Sequence, residues 1–472
     1  MWAPLLLCLI GVWDVSGFIN VYPKLEQYPV YGDPGKPLYL TPLIESGDIK
    51  QAQKLSRVGA LAGVSKISSY SGYLTVNKEY NSNLFFWFFP AMNNYETAPV
   101  VLWLQGGPGA TSLFGLFTEH GPFYVDKKMY LKPRKYSWTK SHSVLYIDNP
   151  VGTGYSFTEN DLGYSKNETE VGKNLYSALL QFFKLFPELQ KNDFYVTGES
   201  YAGKYVPAIS YTIHQENPKA ALHINLKGLA IGNGLCDPEH MLKYSGYLYQ
   251  LGLIDAHARD FFQAKEAEGV KYIQAKQFED AFKIFDELLN GDLTPYPSYF
   301  YNATGFTFYY NFLHSHDDSK FGDLGKFVQK AEVRSAIHVG DRPFNGGTEV
   351  EQHLKLDVMQ SVKPWVEALL DSGMYRIVFY NGQLDIIVAY PLTVSFLNSL
   401  NWNGAKAYMN ASRQIWHVDG KIAGYSKVAG PMTEILVRNA GHMVPSDQPK
   451  WGLDLLNRFT ANKPFTGAGN VL

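Results

Sequence analysis

The sequence contains little cysteine and little charge. Only Cys8 and Cys236 occur among 472 residues, too few for a disulfide framework. Charged residues make up 18%, and 42 Lys+Arg against 44 Asp+Glu give a formal net charge of −2. This balance provides no electrostatic attraction to nucleic acid or to an anionic membrane surface. With 46% hydrophobic and 15% aromatic residues, the composition is instead typical of a globular protein with a large packed core.

An apolar run of membrane-spanning length is also missing. The N-terminal run at residues 2–13 is too short to cross a bilayer, and Ser16 and Gly17 offer a cleavage site before Phe18. We interpret residues 1–17 as a signal peptide, with a buried N-terminal strand or helix as the alternative. After cleavage we expect a soluble protein with no membrane insertion.

Three N-x-[ST] sequons, at Asn167, Asn302 and Asn410, agree with passage through the secretory pathway. They predict a glycoprotein that is secreted or lysosomal. Cleavage of the signal peptide would leave Cys236 as the single thiol, which we expect to be an inert, partly buried residue.

Strand-like and helical patterns alternate along most of the chain. Apolar runs of strand length occur at residues 84–89, 99–105, 144–148, 193–197, 226–232, 375–381 and 434–438. Helical periodicity lies between them, for example at residues 174–186. Near-continuous apolar runs indicate strands that are covered on both faces. The sequence therefore predicts an α/β fold with a mostly parallel central sheet.

Amphipathic helices replace the strand signals at residues 237–350. Two examples are the helical patterns at residues 255–268 and 278–289. We predict that this helical insertion, or cap, divides the α/β domain into a first part at residues 18–236 and a second part at residues 351–472.

The segment GESYAG at residues 198–203 follows a strand-like run and precedes a helical one. Small residues on both sides of Ser200, including Ala202, permit the sharp turn of a nucleophile elbow, which exposes a serine hydroxyl above a sheet. The segment also nearly matches the phosphate-binding loop G-x-x-x-x-G-K, ending at Lys204. That alternative fails because a tyrosine follows where Mg²⁺ requires Ser or Thr, and because Glu199 would add a carboxylate to the phosphate cradle.

A nucleophilic serine needs a base and an acid that orients the base. Asp385 follows the run at 375–381 and His442 follows the run at 434–438, each in a glycine-containing loop. Either residue alone is also compatible with a turn or a cap. Together, in the chain order of nucleophile-elbow hydrolases, they predict a triad with Ser200.

A glycine cluster in WLQGGPG, residues 103–109, follows an earlier strand-like run. Glycines at this place allow backbone N–H groups to approach a reacting carbonyl, as an oxyanion hole requires. An ordinary Gly-Pro turn is the alternative, and the position well before the elbow favours the oxyanion hole.

Five motifs together resemble the serine carboxypeptidase family. They are WLQGGPG, DNPVGTGYSF, TGESYAGKYVP, NGQLD and AGHMVP. Two further stretches, GKPLYLTPLIESG and NSNLFFWFFPA, resemble its vitellogenic-like and venom branch. The likeness extends over nearly the whole chain after the signal peptide. It implies an α/β-hydrolase fold and a serine-type carboxypeptidase that releases C-terminal amino acids from peptides through an acyl-enzyme.

The resemblance implies a role for each matching residue. Ser200 would be the nucleophile, His442 the general base and then acid, and Asp385 the residue that orients His442. The backbone N–H groups of Gly107 and Tyr201 would form the oxyanion hole.

The same resemblance implies that Gln105, Glu119 and Glu199 bind the carboxylate at the substrate's C-terminus. Met443 and Tyr201 would line the pocket for the last side chain. Two glutamates can bind a carboxylate only when they hold protons, which burial and like-charge crowding favour by raising a carboxyl pKa. A mildly acidic pH optimum follows from this requirement.

Three residues depart from the usual family pattern. Gln105 stands in place of Asn, Ala110 in place of Cys, and Thr111 in place of Ser. The family's disulfides are absent as well, because one thiol remains after cleavage. These changes leave the implied catalytic residues intact.

Three other functions compete with peptide hydrolysis. An acyltransferase of the same family would pass the acyl group to an alcohol, but Glu119 and Glu199 favour a peptide carboxylate. A non-catalytic yolk or venom protein on the same fold conflicts with the complete set of catalytic residues. A zinc carboxypeptidase needs an H-x-x-E ligand pair, which occurs nowhere in the chain. The sequence thus implies no metal and no cofactor, and its expected partners are peptide or protein C-termini rather than nucleic acid.

Overall fold

The structure is a computed structural model that describes residues 27–64, 67–291, 293–294, 296–316 and 321–466. The interpretation of residues 1–17 as a signal peptide falls outside the described residues. Cys236 is fully buried rather than partly buried, and its thiol donates a 3.2 Å hydrogen bond to the Gly203 carbonyl. Within the described part of the chain, no helix is both long enough and apolar enough to cross a bilayer.

Strands of the described residues build one large sheet and two small ribbons. In chain order they are β1 (Tyr70–Asn77), β2 (Ser82–Phe89), β3 (Val100–Leu104), β4 (Phe123–Val125), β5 (Leu131–Pro133), β6 (Ser143–Ile147), β7 (Thr153–Gly154), β8 (Phe194–Glu199), β9 (Leu226–Gly232), β10 (Asn345–Gly346), β11 (Arg376–Gly382), β12 (Gln414–Val418), β13 (Lys421–Ala429) and β14 (Met432–Val437). The large sheet has 10 strands in the order β1-β2-β6-β3-β8-β9-β11-β14-β13-β12. Its central run from β6 to β14 is parallel, and its outer pairs are antiparallel.

Helices cover both the sheet and the site above it. In chain order the α-helices are α1 (Thr41–Glu45), α2 (Ile49–Ser56), α3 (Glu168–Leu185), α4 (Ala202–Glu216), α5 (Pro238–Met241), α6 (Ser245–Gln250), α7 (Ala256–Gln274), α8 (Phe278–Phe285), α9 (Tyr299–Thr304), α10 (Phe321–Val328), α11 (Ala331–Ala336), α12 (Thr348–Val358), α13 (Lys363–Asp371), α14 (Tyr390–Ser399), α15 (Ala405–Asn410), α16 (Val444–Asp447) and α17 (Pro449–Thr460). Two π-helical turns span Gly115–His120 and Asp286–Asn290, and 3₁₀ turns span Trp138–Lys140, Asp161–Gly163, Pro187–Leu189 and Asn217–Lys219.

The predicted mostly parallel α/β fold is confirmed. Each of the predicted apolar runs coincides with a strand of the large sheet, because strands such as β3 and β6 are buried along their whole length. The sequence prediction missed β1, β12 and β13. These strands pair antiparallel near the sheet edges. Strand β12 begins with two exposed residues and has a half-buried residue between its two buried ones, so no continuous apolar run marks it.

Between β9 and β11 the described residues form helices α5 to α13, joined by loops, and the two-residue strand β10. Helix α8 packs against α7 and against α12. Helix α12 runs through residue 350, where we predicted the end of the insertion, and the division of the chain at residues 18–236, 237–350 and 351–472 stays a prediction.

Candidate active site

Ser200 lies at the turn between strand β8 and helix α4. Its φ of 64° is in the left-handed region, which non-glycine residues rarely adopt without support from the surrounding structure. The Ser200 N–H donates a 3.0 Å hydrogen bond to the Gly232 carbonyl at the end of β9. A Cβ on Gly106 would lie 2.7 Å from the Ser200 Cβ, so glycine is needed where the neighbouring loop approaches. The turn thus has the strained geometry of a nucleophile elbow.

Asp385 and His442 follow β11 and β14, the two strands next to β9 in the parallel run. Their loops therefore lie at the sheet edge that carries Ser200. The distance from His442 Nδ1 to Asp385 Oδ2 is 2.7 Å, and both side chains are fully buried. His442 Nε2 makes no hydrogen bond to any described residue, Ser200 included, and is the ring nitrogen left to accept a proton.

Sequence reasoning missed Asn233, which follows β9. Its side-chain amide donates a 2.7 Å hydrogen bond to Asp385 Oδ2, the oxygen that also faces His442. Two donors on one oxygen orient the carboxylate toward the imidazole ring. No motif marked Asn233, whose φ of 41° places it at another turn after a strand.

Residues 309–312 of the helical insertion contact both the acid loop and the base loop. The Tyr310 carbonyl accepts a 2.7 Å hydrogen bond from the His442 N–H, and the two rings lie 4.9 Å apart. The Tyr309 carbonyl accepts a 3.1 Å hydrogen bond from the Ile386 N–H, directly after Asp385. Residues 309–312 therefore help to position the loops that carry Asp385 and His442. These are mostly backbone contacts, which leave no sequence signal.

The glycine loop after β3 lies against the start of α4. A Cβ on Gly106 would lie 2.5 Å from the Tyr201 nitrogen, and Gly107 has a φ of 112° that favours glycine. Within the described ranges, neither Gly107 N–H nor Tyr201 N–H donates a backbone hydrogen bond. Two such N–H groups beside a serine have the arrangement of an oxyanion hole. Thr111 supports the same loop with a 2.6 Å hydrogen bond to Asp148.

Gln105, Glu119 and Glu199 meet in a fully buried cluster next to this loop. The Gln105 amide donates to Glu199 Oε1 at 2.9 Å and to Glu119 Oε1 at 3.3 Å. Trp103 donates a 2.8 Å hydrogen bond to Gln105 Oε1 and so sets the orientation of the amide. The structure brings together all three residues that the resemblance implied for carboxylate binding.

Burial controls the charge of the two glutamates. It raises the pKa of Glu119 to about 7, against hydrogen bonds from Glu199 and Gln105 that lower it. Burial, followed by the charge of Glu119, raises the pKa of Glu199 well above its usual range. These shifts favour a proton on Glu199, shared with Glu119 as a hydrogen bond between the two carboxyl groups.

A cleft of about 470 Å³ opens next to Ser200. Its lining is mostly apolar and consists of Gly107, Pro108, Ser200, Tyr201, Leu235, Tyr244, Phe282, Phe285, Asn290, Glu351, Val358, Ile387 and Val388. Helices α8 and α12 contribute four of these residues and close one side of the cleft. Met443 is buried beside His442 but does not line this cleft, whereas Tyr201 does.

The three sequons differ in exposure. Asn302 and Asn410 are exposed. Asn167 is half-buried and caps helix α3, with its side-chain oxygen accepting from the Glu170 N–H and its amide donating to the Glu170 carboxylate. A glycan on Asn167 would have to replace that second hydrogen bond.

A strained serine after a parallel strand, with an acid and a histidine after later strands, defines the class: an α/β-hydrolase. The sequence profile of the serine carboxypeptidase family matches residues 60–462. The chain belongs to that family, and it is a serine-type carboxypeptidase, a hydrolase.

Named relatives extend over almost the whole chain. The venom serine carboxypeptidase of Apis mellifera is 57% identical, with 98% of this chain and 99% of the relative covered. The vitellogenic carboxypeptidase of Aedes aegypti is 50% identical over 93% of this chain and 94% of the relative. The crystal structure of the Kex1 prohormone-processing carboxypeptidase of Saccharomyces cerevisiae superposes with a TM-score of 0.75 at 25% identity, covering 87% of this chain and 96% of that one. The predicted likeness to the venom and vitellogenic branch is confirmed.

Proposed function

We propose that the protein removes the C-terminal residue of peptides with Ser200, His442 and Asp385 acting as a triad. The observation that carries this is the 2.7 Å contact between His442 Nδ1 and the buried Asp385 carboxylate, at the same sheet edge as the strained serine. Asp385 holds the imidazole with its Nδ1 protonated, so Nε2 is free to take the Ser200 proton. His442 then returns that proton to the leaving amine, and water releases the acyl group by the reverse route.

The tetrahedral intermediate carries a negative oxygen near the start of α4. The N–H groups of Gly107 and Tyr201 would donate to this oxygen, and removal of one such donor costs about 10² to 10³ in kcat. The apolar lining of the adjacent cleft would accept the side chain before the cleaved bond, with Tyr201 as one wall. Met443 would contribute from beside His442.

The carboxyl pair of Glu119 and Glu199 would bind the substrate's C-terminal carboxylate together with Gln105. Its proton allows a hydrogen bond to an incoming anion where two ionised glutamates would repel it. Glu119 loses its proton as the pH rises through about 7, whereas His442 must be neutral to act as a base. The two demands overlap at mildly acidic pH, where we expect the optimum for peptides. An acyltransferase acting on esters would have no use for this proton, so the pair favours hydrolysis of peptides.

The helical insertion would cover the site so that only a chain end reaches Ser200. Helices α8 and α12 line the cleft, and residues 309–312 contact the acid and base loops. Entry into the secretory pathway would follow cleavage after residue 17, with glycans on Asn302, Asn410 and, less readily, Asn167. The names of the venom and vitellogenic relatives support secretion rather than lysosomal delivery.

A blocked dipeptide with a free C-terminal carboxylate tests the function. The two controls are the Ser200→Ala variant and the same dipeptide with a C-terminal amide. The wild type should release the C-terminal amino acid, and the Ser200→Ala variant should lose about 10⁴-fold or more in kcat. A fluorophosphonate should label the wild type and not the variant. A folded Ser200→Ala variant with near-normal peptidase activity would refute the triad. Labelling without peptide hydrolysis would instead favour transfer to another acceptor.

A further inference from the structure

Lys204 belongs to the G-x-x-x-x-G-K pattern, but it binds no phosphate because it is completely buried in helix α4. Its Nζ lies 2.6 Å from Asp357 Oδ2 and also donates to the Asp357 backbone carbonyl. The Tyr201 hydroxyl donates a 2.9 Å hydrogen bond to the same Oδ2. Asp357, near the end of α12, therefore joins Tyr201, which directly follows Ser200, to Lys204 in the first turn of α4.

Glu168 completes the cluster from the first turn of helix α3. Burial, then the charge of Asp357, raises the pKa of Glu168 well above its usual range, so its carboxyl group is protonated and donates to Asp357. Among the described residues, no partner other than Asp357 bonds its two oxygens. The cluster thus holds one cation, one anion and two neutral donors, and its charges cancel.

The cluster reaches the reaction site through Tyr201. One end of this residue is the backbone N–H that would donate to the oxyanion, and the other end is the hydroxyl on Asp357. The Lys204 ammonium lies 5.3 Å from the centre of the Tyr201 ring and the ring itself lines the cleft. The Tyr201 hydroxyl is held by Asp357, and its carbonyl accepts a 2.9 Å hydrogen bond from the Lys204 N–H. These two contacts oppose rotation of Tyr201 about its own backbone, which is the motion that would misdirect the N–H group.

We propose that Asp357, held by Lys204 and Glu168, is a positioning residue that fixes the Tyr201 N–H toward the oxyanion and links helix α12 to the catalytic turn. The proposal rests on the oxyanion role given to Tyr201 above. Asp357 does not touch the reacting atoms, so its effect passes through the Tyr201 side chain. A misplacement of about 1 Å at such a donor can cost about 10²-fold in rate.

Three variants separate positioning from mere structural support. Tyr201→Phe removes the hydroxyl and keeps the ring, Asp357→Asn removes the charge, and Glu168→Gln keeps a donor toward Asp357. A matched control is Tyr195→Phe, which removes an equally buried hydroxyl near the other end of β8, where it bonds to the Thr460 carbonyl. Each variant is assayed for kcat and KM on a blocked dipeptide ester and for the affinity of a peptide boronate, whose tetrahedral adduct on serine mimics the oxyanion.

We expect Tyr201→Phe to lower kcat about tenfold with KM nearly unchanged, and to weaken boronate binding by the same factor. Asp357→Asn should lower kcat and boronate affinity by at least the same factor. Glu168→Gln should retain most of the activity, because an amide also donates a hydrogen bond to Asp357. The control Tyr195→Phe should lose stability alone. The proposal is overturned when Tyr201→Phe keeps the wild-type kcat and boronate affinity. If the wild type binds no boronate at Ser200, the triad itself fails, which is a separate outcome.

Discussion

Two pairs of buried carboxyl groups among the described residues differ in whether a lysine lies next to them. Glu119 and Glu199 meet beside the glycine loop, and Glu168 meets Asp357 behind the catalytic turn. Only the second pair contacts a cation, the buried Lys204 at 2.6 Å from Asp357. The first pair has the neutral amide of Gln105 instead. Among the described residues, no lysine or arginine forms an ion pair with Glu119 or Glu199.

This difference determines what each pair can do. In the second pair, the buried Lys204 ammonium offsets the charge of Asp357, so this pair can support structure. Glu119 has no ion-paired cation among the described residues, and the charge of Arg134 lowers its pKa less than burial raises it, so the first pair titrates near neutral pH. A pair that exchanges protons near neutral pH suits the binding of an anion. Substitution of one residue at a time in either pair, or of its neighbour, tests this difference between the two pairs.

The largest effect is expected for Lys204→Met. Removal of the cation leaves the Asp357 charge buried and unpaired, which costs about 3 to 5 kcal/mol in the free energy of unfolding. The control Lys355→Met, on the same helix α12, breaks a partly exposed ion pair with Glu279 and should cost about 1 kcal/mol or less. Urea unfolding of the three proteins measures both values. Equal losses for the two variants would show that the cluster does not depend on its cation.

The next largest effect is the pH dependence of the free energy of unfolding that comes from the Glu119–Glu199 pair. The folded pKa of Glu119, about 7, lies above its unfolded value of 4.5. A raised pKa contributes stability that is complete below the unfolded pKa and is lost as the pH rises through the folded pKa. Relative to Glu119→Gln, the wild type should lose about 3 kcal/mol in the free energy of unfolding between pH 4.5 and pH 8.

The variant Glu279→Gln is the control for this pH series. Hydrogen bonding to Lys355 lowers the pKa of the exposed Glu279, so any pH dependence from this residue has the opposite sign. Wild-type and Glu119→Gln stabilities that stay parallel from pH 4.5 to pH 8 would contradict the raised pKa.

A smaller effect is expected on substrate binding. For a blocked dipeptide with a free carboxylate, KM should rise about tenfold from pH 5 to pH 8, because Glu119, with a pKa of about 7, loses its proton in this range. For the corresponding amide, KM should stay nearly level. Glu119→Gln should flatten the rise, since an amide donates a hydrogen bond at every pH. Steady-state kinetics at several pH values give both curves, and parallel curves for the two substrates would mean that the pair does not bind the chain end.

The smallest effect on KM is expected for Gln105→Asn, which introduces the asparagine that is usual in the family at this position. The shorter amide cannot reach both Glu119 and Glu199, which the glutamine contacts at 3.3 and 2.9 Å. One lost hydrogen bond of about 1 kcal/mol corresponds to a roughly fivefold rise in KM for the free acid. The amide substrate serves as the control and should be unaffected. An unchanged KM for the free acid would mean that the extra methylene of Gln105 has no role in substrate binding.

Sequence reasoning recovered the parallel centre of the sheet better than its edges. Strands β3, β6 and β8 are buried on both faces, and an unbroken apolar run is enough to identify them. Strands β12 and β13 mix exposed, half-buried and buried residues, and they are held by antiparallel pairing of β12 with β13 and of β13 with β14. Pairing depends on residues distant in sequence, so local patterns did not reveal these strands.

The site residues also divide into those that local sequence patterns mark and those that only the fold brings to the site. Ser200 stands in a local motif, and Asp385 and His442 each follow a strand that the sequence marks. Asn233 and residues 309–312 contact the loops of Asp385 and His442 without a motif of their own. Their contacts are an amide on a carboxylate and hydrogen bonds through backbone carbonyls, which depend on the path of the chain rather than on residue type.

The sequence by itself determined the class of the protein and predicted the nucleophile and its partners, because a nucleophile elbow and its glycines are local requirements of backbone geometry. Only the tertiary structure decided which buried side chains have a neighbour of opposite charge and which have a shifted pKa instead. Lys204 matched a phosphate-binding motif, yet in the folded protein it neutralises Asp357, a residue 153 positions away. Glu119 and Glu199 have no such partner, and their pKa values rise instead. The reason is physical: the free energy of a charge depends on what surrounds it after folding, and those neighbours come from distant parts of the chain.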